Sequence, residues 1–81
     1  MGGEHELAMV AHHQLGTLEL AQGEVEAARR HCRRAVAIGE PLFGGDHPAL
    51  IGPLLCVAAA EPSGSEIHRD SLERARLITK A

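Results

Sequence analysis

The chain contains six histidines in 81 residues, and histidine is a common metal ligand. A helix chelates a metal through ligands at i and i+3 or i+4, and no two histidines have that spacing. His12 and His13 are adjacent, so they point to different faces of a helix. We therefore expect solvated histidines, with an adventitious metal site as the alternative, and we predict no cofactor.

The triplet His68-Arg69-Asp70 has the composition of the protein-kinase catalytic loop. A kinase also needs a glycine-rich loop and a nucleotide-binding lysine, and a chain of 81 residues leaves no room for one. No nucleophile, base and orienting group stand together elsewhere in the sequence. We therefore treat the triplet as a coincidence and predict that the protein is not an enzyme.

Cys32 and Cys56 are the two thiols of the chain, and their spacing is not that of a disulfide framework. We expect both to be reduced, as in cytosolic proteins. Cys32 falls on an apolar helical stripe, where a free cysteine packs as a small hydrophobe. No signal peptide is visible, and the longest apolar run, residues 54–60, is too short to span a membrane. These observations predict a cytoplasmic protein with no membrane partner.

Four arginines flank Cys32 and cover about 140° of a helix at ~100° per residue. They are Arg29, Arg30, Arg33 and Arg34. This patch fits either a solvated helix face or a docking surface for an acidic partner. The net charge of −3 and the lack of an aromatic residue beside the patch argue against nucleic acid as the partner.

The elements that position these residues are expected to be helices. Apolar residues make up 44% of the chain, yet Phe43 is the only aromatic residue. Good helix formers dominate and β-branched residues are sparse. Small side chains must fill the core, which suits helices packed close together. We predict an all-α protein with a single domain over residues 1–81.

The first half of the chain predicts two helices. The first runs from about Glu4 to Ala21 and is closed by Gln22-Gly23. Its expected inward stripe is Leu7, Ala11, Leu15 and Leu18, with Ala8 beside it. The second begins near Glu24, and its expected inward stripe is Val25, Ala28, Cys32, Ala35 and Ile38. Gly39, Pro41 and Gly44-Gly45 are expected to end it by stages.

The second half of the chain predicts two further helices. Asp46 is the expected N-cap of the third, which covers about His47 to Ala60. Pro53 predicts either a kink or a late start. Ser63 and Glu66 have the spacing of a capping box. The last helix ends near Lys80, and its expected inward residues are Ile67, Ser71, Leu72, Ala75 and Ile78.

Four helices with short connections form two antiparallel hairpins, and the second hairpin repeats the first. His5 and His47 open equivalent helices, and Leu15-Gly16 falls on Val57-Ala58. Internal periodicity of this length indicates an α-solenoid. We place repeat one at about residues 4–45 and a degenerate repeat two at about 46–80.

The stretch from Leu15 to Ile38 resembles a tetratricopeptide (TPR) repeat. Leu15-Gly16 matches the Leu-Gly pair of the family and Gly23 its inter-helix glycine, while Ala28 and Ala35 match its two small residues. The turn from Phe43 to Pro48 is similar to that of the kinesin-light-chain-like subtype. The resemblance covers roughly Glu4 to Leu50.

The resemblance implies a concave face, lined mainly by the first helix of each hairpin, that receives a peptide or a partner's helix. By position, this face carries Val10, His13, Gln14, Thr17, Leu55, Cys56 and Ala59. Gln14 can both donate to and accept from a peptide backbone. The second repeat is apolar here and offers no lysine for a terminal carboxylate, which favours an amphipathic helix or extended segment as the partner.

We therefore expect a non-enzymatic protein-interaction module. The rival hypothesis is a structural role, as a terminal cap or as a fragment of a longer helical-repeat protein. About three repeats are usually needed for stability, and residues 54–60 form an apolar stretch broader than one neighbouring hairpin covers. We expect self-association as well, most simply as a two-fold homodimer, through the fourth helix or the concave groove.

Overall fold

A computed structural model describes residues 2–80, with side chains described for residues 5–79. It contains four α-helices, α1 (Gly2–Ala21), α2 (Val25–Phe43), α3 (Ile51–Ala60) and α4 (Glu66–Lys80), and a short 3₁₀ helix over Pro48–Leu50. These residues form no strand, so the all-α prediction is confirmed. Met1 and Ala81, the ends of the predicted domain, lie outside the described residues.

The helices pair as two hairpins. α1 packs along α2 and α3 along α4, while contacts between α2 and α3 join the two hairpins. One core cluster surrounds Leu50 and Leu54, and the other surrounds Cys32. None of the helices in the described range combines the length and the apolarity that crossing a membrane requires.

The first helix buries a different side from the one predicted. Leu7, Ala11, Leu15 and Leu18, which we call the outer stripe of α1, are all exposed. Met9 and Gly16 are buried instead. A Cβ at Gly16 would lie 2.6 Å from Sγ of Cys32, so glycine allows a close approach that a leucine at this position would prevent. The prediction is wrong because α1 carries apolar residues on both sides, and this contact decides between them.

The second helix follows its predicted stripe more closely. Ala28, Cys32 and Ala35 are fully buried, although Val25 at the start of the helix is exposed. The helix does not end by stages: it continues through Gly39 and Pro41 and ends before Gly44, whose φ is +82°. Gly39 stays helical because it packs on the core, where a Cβ would lie 2.6 Å from Cδ2 of Leu50.

The entries to the second hairpin use other caps than those predicted. His47, not Asp46, caps the 3₁₀ helix, since its Nδ1 accepts a hydrogen bond from the N–H of Ala49 at 3.0 Å. Pro53 lies in the first turn of α3, so the late start is confirmed and no interior hydrogen bond is lost. For α4 the capping-box prediction is wrong: Ser65 Oγ accepts from the N–H of His68 at 3.1 Å.

The second hairpin buries more of α3 than expected. Within residues 54–60 only Leu55 and Ala59 are exposed, so the prediction of a broad apolar patch is wrong. Both core clusters draw on this helix, and it therefore packs on α2 and on α4. In α4, Ser71, Ala75 and Ile78 are buried as predicted, whereas Ile67 and Leu72 are exposed.

Candidate functional site

The helices α1 and α3 meet where the ring of His13 lies over Gly52. A Cβ at Gly52 would lie 2.7 Å from Cε1 of His13, so the absence of a side chain makes room for the imidazole. His13 is half-buried by this contact. It therefore acts mainly as a spacer between the first helices of the two hairpins.

Five of the predicted partner-binding residues are exposed beside this contact. Val10 is 42% exposed and Leu55 47% exposed. Gln14, Thr17 and Ala59 are exposed as well. We call these five residues the α1–α3 face. None of them is charged, so the face offers two aliphatic side chains, a methyl, a hydroxyl and an amide.

The two polar groups of the α1–α3 face are differently engaged. The hydroxyl of Thr17 donates to the backbone carbonyl of His13 at 3.0 Å, so its proton is used within α1. The amide of Gln14 makes no hydrogen bond to another described residue. Gln14 can therefore offer both a donor and an acceptor to a bound backbone.

Cys56 is not part of this face. It is 5% exposed, and its sulfur is bonded to that of Cys32 across a Cα–Cα distance of 5.5 Å, a usual separation for a disulfide. The predictions that Cys56 faces a partner and that both cysteines are reduced are wrong. The physical reason is that α3 turns Cys56 toward Gly16 and Cys32, and a sequence separation of 24 residues carries no signal of that proximity.

Glu61, which sequence reasoning missed, ties the two hairpins together. Its carboxylate is buried and accepts a hydrogen bond from Nε of Arg33 at 2.7 Å, and Nη2 of Arg33 forms an ion pair with the same oxygen at 2.5 Å. Nε of Arg29 lies 3.6 Å from the same carboxylate. Two of the four patch arginines therefore bind within the protein, while Arg30 and Arg34 are exposed. The sequence signal for this ion pair was a glutamate directly after an apolar helix, where its carboxylate is buried and needs a cationic partner.

A second polar cluster lies between α1 and α2. Nδ1 of His31 is 2.7 Å from Oε1 of Glu19, and the ring of His12 stacks on that of His31 at 5.4 Å. Nδ1 of His12 is buried without a hydrogen-bond partner among the described residues. Burial first, and then the charges of His31 and Arg34, lower the pKa of His12. Residues 5–79 hold no group of three side chains that could bind a metal.

The comparison with known proteins identifies the architecture. The Tetratricopeptide repeat family model matches residues 6–51, which is more than half of the chain and includes most of α1, all of α2 and the first residue of α3. Neither a curated protein nor a solved structure matches the chain. The matched region holds Gly16, Ala28 and Ala35, the small residues that are buried between the helices. The chain belongs to the tetratricopeptide repeat family.

Proposed function

We propose that this protein is a non-enzymatic interaction module that binds a segment of a partner protein on the α1–α3 face. The family supports the general statement, because its repeats are generally non-catalytic scaffolds for protein contacts. The net charge of −3 and the internal pairing of Arg29 and Arg33 favour a protein over a nucleic acid as the partner.

The observation that carries the proposal is an exposed, uncharged surface shared by two hairpins whose relative position is fixed. The Cys32–Cys56 disulfide and the Arg33–Glu61 ion pair both cross from α2 to the second hairpin. A surface that is ordered before binding loses little conformational freedom when it binds. An amphipathic helix or an extended segment could place apolar side chains against Val10 and Leu55 and hydrogen-bond to Gln14.

A displayed random-peptide library selected on the intact, oxidised protein tests this proposal. We expect selected peptides that bind the wild type and lose at least about tenfold in affinity for Leu55→Asp, because a buried unpaired carboxylate is costly. The matched control is Leu77→Asp, which places the same charge at an exposed leucine of α4. Equal loss in both variants, or loss in Leu77→Asp alone, would refute binding at the α1–α3 face.

The finer family assignment is a separate proposal. We infer the kinesin-light-chain-like subtype from the turn over residues 43–48, where the Phe43 ring stacks on that of His47 at 4.7 Å and His47 caps the following 3₁₀ helix. The division into repeats at about 4–45 and 46–80 stays a prediction too. Its support is the pair of hairpins and the family match that ends at residue 51.

The cytoplasmic location stays a prediction, and the disulfide counts against it. Disulfides persist in oxidising compartments and are rare in the cytosol. Rapid alkylation of the protein in its source cells, followed by mass spectrometry of the peptides that contain Cys32 and Cys56, tests the location. Alkylated thiols would support the cytoplasm, and a bonded pair would argue for an oxidising compartment.

Self-association is the second candidate function, and the outer stripe of α1 now favours it. The stripe is apolar along its length, and Leu7 at one end is 71% exposed. Two copies that pack their α1 helices against each other about a two-fold axis would bury both stripes. The sequence suggested the fourth helix or the groove for this contact. We propose the outer stripe of α1 instead, because most of the apolar stretch over residues 54–60 is buried inside the protein.

Sedimentation equilibrium over a wide concentration range tests self-association. We expect a monomer–dimer equilibrium for the wild type and a monomer for the double variant Leu7→Lys with Leu18→Lys. Leu77→Lys is the control and should dimerise like the wild type. A wild-type monomer at high concentration would refute the dimer. If such a monomer also selected no peptide, the rival structural role would be favoured.

A further inference from the structure

A cleft of about 270 Å³ lies between α2 and α4, with α3 as its floor. The backbones of α2 and α4 do not pack against each other, and the Arg74–Glu40 ion pair bridges the gap between them. Leu54 and Val57 of α3 line the cleft, whereas Leu55 and Ala59 lie on the α1–α3 face. At ~100° per residue these pairs occupy different sides of α3, so the cleft and the α1–α3 face are separate surfaces.

The walls of the cleft are apolar and its rim is polar. The apolar walls are Val36, Leu54, Val57 and Ile67, and the polar groups are Arg33, Asp70, Ser71 and Arg74. Small-molecule sites usually enclose about 300–1,000 Å³, so this cleft is small for a metabolite. Its size and apolar walls suit a side chain of another protein.

The charges around the cleft leave one carboxylate uncompensated. Arg33 is paired with Glu61 and Arg74 with Glu40, each at 2.5 Å. Asp70 makes no ion pair with another described residue, although it lines the cleft. The two guanidinium groups are thus neutralised within the protein, and Asp70 gives the rim an excess negative charge.

Ser71 adds an unused hydrogen-bonding group. The residue is 4% exposed and lines the cleft, yet its hydroxyl makes no hydrogen bond to any of residues 5–79. The hydroxyl is therefore free to bond to a ligand. A bound polypeptide could hydrogen-bond to it through a backbone carbonyl that accepts from the hydroxyl, or an N–H that donates to it.

We propose that this cleft binds a protein segment in which an apolar side chain is followed by a lysine or an arginine. The apolar side chain packs against Val36, Leu54, Val57 and Ile67, and the cation reaches Asp70. Ser71 hydrogen-bonds to the backbone of the segment. This second site is distinct from the α1–α3 face, so the proposal does not depend on what that face binds.

The charge arrangement favours a cation over a carboxylate as the second group of the ligand. A carboxylate would have to share an arginine whose charge Glu61 or Glu40 already neutralises in a short ion pair, and it would be repelled by Asp70. A cation meets a carboxylate that is free to pair. Charge complementarity of this kind selects partners more than it adds affinity.

Three dipeptides whose second side chain is cationic, neutral or anionic test the proposal: the amides of N-acetyl-leucyl-lysine, N-acetyl-leucyl-glutamine and N-acetyl-leucyl-glutamate. Titration of ¹⁵N-labelled oxidised protein should shift the amide signals of Val57, Ile67, Asp70 and Ser71. We expect the lysine dipeptide to bind about two- to fivefold more tightly than the glutamine dipeptide, the range for a partly exposed ion pair. The glutamate dipeptide should bind least, and added salt should reduce the preference.

The variant Asp70→Asn should remove the preference for lysine while leaving the binding of the glutamine dipeptide unchanged. Asp46→Asn is the control, because Asp46 is an exposed aspartate outside the cleft, and it should keep the wild-type preference. The proposal is overturned if the glutamate dipeptide binds best or if Asp70→Asn retains the preference. Signals that shift elsewhere, or no shifts up to the solubility limit of the dipeptides, would overturn it as well.

Discussion

Small residues set the distances between the helices of this protein. Ala28 and Ala35 are fully buried on α2. Gly16 lies against the sulfurs of both cysteines, and Gly39 lies against Leu50 and Met9. At each of these positions a larger side chain would enter space that another helix already fills. The resemblance to the repeat family anticipated Ala28 and Ala35 as small contact residues, whereas it matched Gly16 by residue type alone.

The first prediction concerns Ala28. Replacing it with leucine adds three carbons to a filled contact, so Ala28→Leu should lower the free energy of unfolding by about 1–3 kcal/mol. Denaturant unfolding without a thiol reductant, so that the disulfide stays intact, measures the change. Ala37→Leu is the matched control, because Ala37 is exposed on the same helix. Equal unfolding midpoints for the wild type and Ala28→Leu would contradict the packing described here.

The second prediction concerns the pH dependence of stability through His12. Because the pKa of His12 is lowered in the folded protein, the unfolded chain takes up the proton first, at about pH 6.5. The stabilising contribution of neutral His12 is therefore present above that pH and is lost as the pH falls from about 6.5 toward the lowered folded-state pKa. Protonation of His12 should therefore lower the free energy of unfolding of the protein as the pH falls.

Thermal unfolding of His12→Phe between neutral and mildly acidic pH measures this contribution. The variant should lose less stability on acidification than the wild type. The control His5→Phe removes an exposed histidine and should follow the wild type. A variant whose stability falls as steeply as that of the wild type would show that His12 is not responsible.

At the scale of the helices, the joint between the two hairpins has a covalent part and an ionic part. The Cys32–Cys56 disulfide links α2 to the middle of α3. Glu61, just after α3, forms an ion pair with Arg33 and lies close to Arg29. Because these links hold the end and the middle of α3, they fix its position on α2 and thereby the geometry of the α1–α3 face.

The third prediction is that reduction of the disulfide destabilises the protein by about 3 kcal/mol, the loop-closure value for a loop of roughly this length. Denaturant unfolding with and without a thiol reductant measures the difference. The double variant Cys32→Ser with Cys56→Ser should be less stable than the oxidised wild type and indifferent to the reductant. Unchanged stability of the wild type on reduction would contradict the role assigned to this bond.

The fourth prediction concerns the ionic part of the joint. Glu61→Gln removes the charge that Arg33 and Arg29 face, and it should lower the free energy of unfolding by about 1.5–3 kcal/mol, as for hydrogen bonds to charged groups. Glu66→Gln is the control, since Glu66 is an exposed glutamate in the first turn of α4. Equal stability of Glu61→Gln and Glu66→Gln would show that Glu61 does not hold the hairpins together.

The sequence predicted the elements better than their environments. Local signals predict the four helices, the buried stripe of α2 and the turn before Pro48. These signals are the spacing of apolar residues and the positions of glycine and proline, which act within a few residues. The inward side of α1 and the partner of Cys56 depend on contacts between residues far apart in sequence. Five of the seven predicted site residues are exposed, and His13 is half-buried. Cys56 is buried because it forms a disulfide, which its position in the repeat pattern does not predict.

At the scale of the whole molecule, the two hairpins present three surfaces of different chemistry. The α1–α3 face is uncharged, the cleft between α2 and α4 has an apolar floor and an unpaired aspartate, and the outer stripe of α1 is apolar. Different chemistry on each surface suits different contacts, namely a partner segment, a basic partner side chain and a second copy. The fixed joint between the hairpins makes these surfaces parts of one scaffold.

Binding of a protein segment on the α1–α3 face can be mapped residue by residue through amide chemical shifts. A peptide selected on the oxidised protein is titrated into the ¹⁵N-labelled chain. We expect the largest shifts at Val10, Gln14, Thr17, Leu55 and Ala59. Shifts confined to the exposed sides of α2 and α4, with these five signals unmoved, would contradict it.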